Sequence, residues 1–482
     1  MEYIINGRKP EQIFRFFEDI AKIPHGSGNE KGIADYIENF AKERGLFCIH
    51  DDVHNIFVRM PATPGRENEP SIILQAHRDM VCEKNADTVH DFLTDPLKLY
   101  LDGKFLRAKG TTLGADDGIG VTLMMAVLDG AFDSHPEIEC LFTVSEETGM
   151  EGVNGFDFSV VKSRKMINLD SEDIDCAVVG CAGGVRHNLI INAKKEPAEG
   201  SAIKISVGGL AGGHSGENIN DGRANANKLL GRVLLAISGY DYRLVSINGG
   251  GKANAIPREA SAIITVRDID GIKSDINKIA EDIAFELSAE DKNFFLSCES
   301  VEIPELSLDK NTTDSAVALL GVAANGVFEM SKNIPGFVEY SRNLGVIRSD
   351  DDMIVYTFFA RSGINAQLDA SSAELEALAK LCGADIECSE RYGGWAYAPE
   401  SAVREEYAAA YKKFTGKEHK CRQRHAGHEC GIIKDQIPDM DVISVGPNAY
   451  GIHSPDEALD LDSVEVWAEV IKEMLACSHK CI

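Results

Sequence analysis

The 482-residue chain carries 49 Lys+Arg against 77 Asp+Glu, a formal charge of −28, which repels a phosphate backbone or an anionic lipid surface and argues against nucleic acid and membrane partners. Its 44% apolar content supplies ample core; no apolar stretch reaches the roughly 18 residues of a membrane-spanning helix, and the length favours two or three domains. Twelve cysteines lie scattered with no CxxC pair, and Met1 to Pro10 lacks a signal-peptide core, so a reducing cytoplasm is the expected compartment.

Helical apolar spacing opens the chain at Pro10 to Ala21 and Glu30 to Arg44. Three short runs rich in Ile, Leu, Val or Met follow: Ile72 to Leu74 leads to His77, Ile138 to Val144 leads to Glu146 and Glu147, and Met166 to Leu169 leads to Asp170. Such runs, bounded by Gly, Pro or charged residues, read as buried strands of an α/β sheet. Between the first two, Gly118 to Leu128 has a helical pattern, so Asp116 and Asp117 fall in the loop before a helix N-terminus, where the dipole favours a carboxylate.

From about Val185 to Cys382 the pattern changes. Strand (Ile203 to Val207), helix (Gly222 to Ile237), strands (Val245 to Ile247, Ala262 to Arg267), helix (Asp270 to Leu287) and strand (Phe294 to Cys298) give a β-α-β-β-α-β order. A second pass runs through helix (Thr313 to Asn325), strands (Phe337 to Ile347, Met353 to Phe359), helix (Ala370 to Leu381) and strand (Asp385 to Ser389), with its opening strand unassigned. A fourth buried run, Val442 to Val445, then leads into the loop carrying His453. Because the middle block separates His453 from the other candidate ligands, we expect one domain split as residues 1–183 plus 390–482, with residues 184–389 inserted as a lid at an exposed loop.

In open α/β sheets, ligands bind beyond the carboxyl ends of the strands. Catalytic zinc takes nitrogen and oxygen ligands and keeps a position open for water, and a two-metal centre adds a bridging carboxylate. His77, Asp116, Glu147, Asp170 and His453 form a set of that size. Asp79, two residues after His77, is placed to accept the proton on the free imidazole nitrogen, and Glu146 is left over to take a proton from water. Each residue also has a plainer reading: a loop histidine, a solvated acidic pair, or aspartates capping a helix. Coincidence of all six at strand ends is what sets a metallohydrolase reading beside these.

The segments His77-Arg78-Asp79-Met80-Val81, Gly114-Ala115-Asp116-Asp117-Gly118, Ser145-Glu146-Glu147-Thr148-Gly149 and Asn168-Leu169-Asp170 resemble the four successive motifs of the M20 metallopeptidases. Glu83-Lys84-Asn85, Thr88 to Phe92, Lys109 to Leu113, His425-Ala426-Gly427 with Glu429-Cys430-Gly431, and His453 to Glu457 extend the resemblance over nearly the whole chain. The Thr-Thr-Leu and Cys-Gly stretches point to the carnosinase-type branch that cleaves aminoacyl-histidine dipeptides.

The resemblance implies a zinc-exopeptidase-like domain with a mostly parallel sheet, and a lid of two ferredoxin-like units. Two Zn2+ are expected, with Mn2+ or Co2+ as substitutes: His77 and Asp170 on one, Glu147 and His453 on the other, Asp116 bridging, and a cis peptide after it. Glu146 would act as general base and acid on a bridging water, with Asp79 orienting His77. His214, in Gly212-Gly213-His214-Ser215-Gly216, matches a lid histidine that serves the oxyanion. Asn254 would face the substrate, Arg361 would meet its carboxylate and Glu429 its amino group. The expected activity is hydrolysis of unblocked dipeptides, preferentially those ending in histidine. The alternatives are a related tripeptidase, an N-acyl-amino-acid amidohydrolase, or a catalytically silent peptide-binding member. His428 stands where an apolar residue is expected, either near the substrate or facing solvent. A homodimer is compatible with the sequence, although a doubled lid would let His214 act within its own subunit.

Overall fold

A computed structural model describes residues 3–477, which divide into two compact units. Of these, the first comprises residues 3–180, Tyr397–Gln423 and residues 429–477, and the second Cys181–Ala396 with Arg424–His428. The boundaries thus fall a few residues from the expected 183/184 and 389/390. Backbone hydrogen bonds explain the shift: Cys181 and Trp395 exchange N–H···O bonds of 2.9 and 3.0 Å, and Ala182 N–H donates to Arg424 O at 2.9 Å, so these residues belong with the second unit.

The first unit is built on an eight-stranded sheet whose four central strands, in order Ile138–Thr143, Ile72–His77, Lys165–Asn168 and Asp441–Ser444, are parallel. Parallel strands are covered on both faces and so read as unbroken apolar runs, which is why Ile72–His77 and Ile138–Thr143 are buried at every position. The register places His77 opposite Thr143, and Gln75 opposite Asn168. Helix Ala115–Leu128, apolar on nearly all sides, is buried almost throughout and packs against Ile72–His77 and the helix Glu11–Ile20. Its first turn is kinked at Asp116 and Asp117. A smaller four-stranded sheet pairs Ala449–Tyr450 and Ala458–Asp460 with Phe105–Ala108 and Leu99–Asp102, and holds the loop that carries His453.

The second unit carries an antiparallel sheet of nine strands. On one half the order is Phe295–Val301, Ser201–Gly208, Ala260–Val266, Arg243–Gly249, with helices Ala226–Ala236 and Ile269–Glu286 supplied by the same stretch of chain. The other half continues with Val338–Ser349, Met353–Ser362, Gly183–Asn192 and Asp385–Tyr392. The unassigned opening strand of the second pass is therefore Gly183–Asn192, which pairs with Met353–Ser362 from Ser362↔Gly183 to Met353↔Asn192. It precedes the first pass in the chain, so the passes are nested rather than consecutive. Periodicity finds strands but not their partners, and here the partners lie about 170 residues apart. Alternation sets the core: Ile203, Ile205 and Val207 point in with Leu230, Val233, Ile264 and Ile272, while Lys204 is exposed.

Candidate metal centre

Parallel neighbours put their last residues along one edge, and that edge gathers the candidate ligands. His77 ends its strand, Glu146 and Glu147 follow Ile138–Thr143 within a few residues, and Asp170 follows Lys165–Asn168. Asp116 comes from the kinked helix start, where its peptide bond to Asp117 is cis. His453 sits beyond Ala449–Tyr450 with φ of 60°.

Asp116 stands between the two imidazoles. Its Oδ1 is 3.1 Å from His77 Nε2 and its Oδ2 is 3.2 Å from His453 Nε2. Asp170 Oδ1 lies 3.7 Å from His77 Nε2, and Glu147 Oε1 lies 2.9 Å from His453 Nε2. Donor atoms of His77, Asp116 and Asp170 all fall within 4.8 Å of one another, as do those of Asp116, Glu147 and His453, and of His77, Glu146 and Glu147. The first two trios share Asp116, the arrangement a bridged pair of divalent cations requires. Glu147 Oε1 is buried beside His453 Nε2, and four carboxylates crowd two imidazoles, so nitrogen and oxygen donors fit two cations in charge and in type.

Electrostatics report the same crowding. Burial opposes protonation of His77, but hydrogen bonds to Asp116, Asp170 and Asp79 prevail and raise its pKa well above the usual value. Asp116 and Glu147 raise His453 to about 10. Burial, reinforced by Asp170, Glu429 and Glu147, lifts Glu146 well above the carboxylate range.

The supporting residues differ from expectation in one respect. His77 Nδ1 lies 3.1 Å from the backbone oxygen of Asp79 and 3.4 Å from its carboxylate. That carboxylate accepts hydrogen bonds from the backbone N–H of Glu146 (3.0 Å) and Glu147 (3.3 Å) and from Ser27 Oγ (2.8 Å). Asp79 therefore touches His77 and also pins both acids; against its burial, these bonds and His77 bring it to about 2.

Several supporting contacts escaped the sequence reading. Glu429 opens the helix Glu429–Gln436, is fully buried, and accepts hydrogen bonds from Gln75 Nε2 (2.5 Å) and Thr143 Oγ1 (2.9 Å). Asn168 Nδ2 donates to Gln75 Oε1 at 2.5 Å, and Asp170 N–H donates to Asn168 Oδ1 at 3.2 Å. A continuous relay thus joins Glu429, which burial raises to about 7, to the ligand Asp170. Its sequence signal was the presence of Gln75, Thr143 and Asn168 within three mostly apolar runs, because a buried polar side chain must find a partner. Glu30 accepts Ser145 N–H at 3.2 Å and Ser145 Oγ at 3.1 Å, holding that residue at φ 53° immediately before the acid pair.

The remaining candidates belong to the second unit. His214 lies on the short strand Gly213–His214, and its Nδ1 accepts N–H bonds from Gly216 and Glu217, both at 3.2 Å, which leaves Nε2 to carry the ring proton. Burial and then Arg361 lower its pKa. Arg361 is buried, stacks on Phe359 at 4.7 Å, and donates to Tyr392 OH (3.3 Å) and Ser215 Oγ (3.5 Å); among the described residues it has no carboxylate partner. Asn254 is exposed, and its backbone oxygen accepts from Ser215 N–H at 2.9 Å. His428 is buried, which rules out the solvent-facing alternative.

Comparison with known proteins decides the family. The model for peptidase family M20/M25/M40 matches residues 73–476. The chain belongs to this family. It is 40% identical over 471 residues to the cytosol non-specific dipeptidase of Escherichia coli K12, covering 97% of each chain. It is also similar to the crystal structure of aminoacylhistidine dipeptidase from Vibrio alginolyticus, with a TM-score of 0.91, 36% identity and 97% coverage of each. An aminopeptidase from Bacillus cereus shares the fold at a TM-score of 0.58 and 16% identity, with coverage of 97% and 98%. Membership in this family implies a dinuclear metal site, for which the overlapping trios are the candidate ligands.

Proposed function

We propose that this chain is a two-zinc cytoplasmic dipeptidase of the aminoacylhistidine dipeptidase type, acting on unblocked dipeptides with a preference for C-terminal histidine. The observation that carries the reading is the shared carboxylate: Asp116 offers one oxygen toward His77 and the other toward His453, with Asp170 and Glu147 completing the two trios. Support for the substrate class comes from the full-length likeness to two dipeptidases, one of them named for the cytosol. The scaffold we read for it is a metallo-exopeptidase core with a lid of two split β-α-β units, as the strand order on each half of the antiparallel sheet suggests.

In the chemistry we propose, two cations held by His77, Asp170, Asp116, Glu147 and His453 would supply polarisation of the scissile carbonyl and acidification of a water. Glu146 accepts the proton from that water and returns it to the leaving amine. Asp79 keeps the Glu146 backbone in place through the 3.0 Å bond, and Glu30 steadies the preceding turn. His214, donating through Nε2, would serve the carbonyl oxygen as negative charge develops. Arg361 would take the substrate carboxylate, since a buried guanidinium without an acidic partner is a strong anion site. We assign Asn254 to substrate contact and Glu429 to the amino group, the latter through its buried, unpartnered Oε1.

The test is a panel of Xaa-His dipeptides, other dipeptides, tripeptides and N-acylated amino acids assayed with the zinc-loaded protein. The reading expects unblocked dipeptides to lead by at least tenfold in kcat/KM, Xaa-His among the best. Higher kcat/KM on blocked or longer substrates would overturn the dipeptidase assignment; equal rates across dipeptides would remove only the histidine preference.

A further inference from the structure

One buried carboxylate belongs to none of the ligand trios yet ties two of their members together. Glu457, 2% exposed, accepts hydrogen bonds from three successive backbone N–H groups, Leu113 (2.6 Å), Gly114 (3.0 Å) and Ala115 (2.8 Å), with Asp116 N–H at 3.5 Å. These amides fan around Gly114, which has φ of 70°, at the N-terminus of Ala115–Leu128. Converging amides at a helix start form a cradle for an anion. Here the anion is a side chain reached across more than 340 residues of sequence, and among the described residues no Lys, Arg or His pairs with it. Glu457 lies four residues after His453, on the far side of a turn closed by Glu457 N–H to Ser454 O (3.1 Å) and Ser454 Oγ to Gly451 O (2.6 Å).

The imidazole this turn presents is poorly held by anything else. The His453 side chain is 46% exposed, and its close polar neighbours are Asp116 and Glu147, themselves candidate ligands. The hairpin is also anchored at its far end, by Leu459 pairing with Leu106 and by Lys104 Nζ to Asp460 at 2.7 Å. Those contacts fix the hairpin on the neighbouring strand but do not touch the segment bearing Asp116. Glu457 touches it directly.

We propose that Glu457 is a positioning residue that sets the spacing between Asp116 and His453, and so governs retention of the ion shared by Asp116, Glu147 and His453. This rests on the dinuclear reading above. Groups that orient ligands from one layer out commonly change metal affinity 10–100-fold. The other ion, on His77, Asp116 and Asp170, keeps His77 and Asp170 on strands that Glu457 does not contact, so its affinity should fall far less.

Metal content after equilibration in graded zinc buffers tests the idea, measured on the zinc-loaded wild type, Glu457→Gln, Glu457→Asp and, as an anchor control, Lys104→Ala. Wild type should hold two ions per chain. At a free zinc concentration where wild type keeps both, Glu457→Gln should keep one, its weaker site shifted at least tenfold; Glu457→Asp, one methylene shorter, should fall between, and Lys104→Ala should keep both even if its unfolding midpoint drops. Two ions retained by Glu457→Gln with unshifted affinity would overturn the inference. So would parallel loss of both ions, or selective loss in Lys104→Ala, because either marks a general loosening. If Glu457→Gln fails to fold, Glu457→Asp decides by the same criteria. A wild type that never holds two ions would instead defeat the dinuclear reading.

Discussion

The two units treat buried charge in opposite ways. In the parallel-sheet unit, Asp116, Glu146, Glu147 and Asp170 are brought within reach of one another, an arrangement that like-charge repulsion opposes unless cations join it. In the antiparallel unit Arg361, His187 and His425 are answered by hydroxyls, Arg361 by Tyr392 and Ser215, His187 by Ser372 and His425 by Ser341, and the buried Arg342 pairs with a single acid, Glu374. Clustering of acids without matching bases is a signature of function, since a fold gains nothing from it. Isolated buried groups with hydroxyl partners are satisfied polarity unless a ligand claims them.

The sharpest way to break this contrast is to exchange the roles of the adjacent acids. Glu146→Gln removes the proton acceptor while leaving the five ligands, so turnover should fall by about 10³-fold, within the range for general acid–base groups, with both metals retained. Glu147→Gln removes a ligand and should lose metal along with activity. Metal analysis beside a dipeptide assay separates the two; loss of metal from Glu146→Gln would mean that the two assignments are reversed.

The same contrast shows what was legible in the sequence. Strand ends were readable because parallel strands are continuous apolar runs, and the ligands follow them directly, as His77 follows Ile72 to Leu74. Asp79 was recognisable as a supporting residue, but its main partners, the backbone N–H groups of Glu146 and Glu147, carry no residue-type signal. Glu429 was marked by resemblance alone, because nothing local reveals Gln75 and Thr143, more than 280 positions away, turning toward it. In the antiparallel unit, strand existence was clear and nesting was not, since the whole first pass lies in the sequence between Gly183–Asn192 and its partners.

Smaller effects sharpen the comparison. Glu429→Gln leaves shape nearly unchanged and can keep a carbonyl oxygen where Gln75 Nε2 and Thr143 Oγ1 both donate, but it puts an NH2 group at the unpartnered Oε1 position and removes the negative charge. A hydrogen bond to a charged group is worth about 1.5–3 kcal/mol, so loss of the one proposed from the substrate amine should lower kcat/KM about 10–100-fold. If the role is amine recognition, the loss appears for unblocked dipeptides and is absent for N-acylated ones; equal losses on both would reduce Glu429 to a support for Asp170. Arg361→Lys tests the other unit. Lysine keeps the charge but loses the planar fork, so KM should rise about tenfold with kcat nearly unchanged, and an unaltered KM would leave Arg361 as satisfied core polarity.

A further effect concerns stability and should be confined to the second unit. His187 is fully buried, with Nε2 2.8 Å from Ser372 Oγ and Nδ1 unpartnered. Burial, helped by Arg342 and Arg391, lowers its pKa from 6.5 to about 4. The unfolded chain therefore binds the proton first as pH falls, so His187 costs no stability above about pH 6.5 and progressively more down to about pH 4. Each pH step across that window removes about 1.4 kcal/mol, so the loss at pH 4 is on the order of 3 kcal/mol. Denaturant midpoints followed by a probe in the second unit should decline over this window in wild type, and His187→Gln, which can still reach Ser372 but cannot titrate, should flatten that decline. An unchanged slope would show that the imidazole is already neutralised by its surroundings in the unfolded chain, or that water reaches Nδ1 in the folded one, and the isolation of buried charge in this unit would then be less complete than in the acid-rich one.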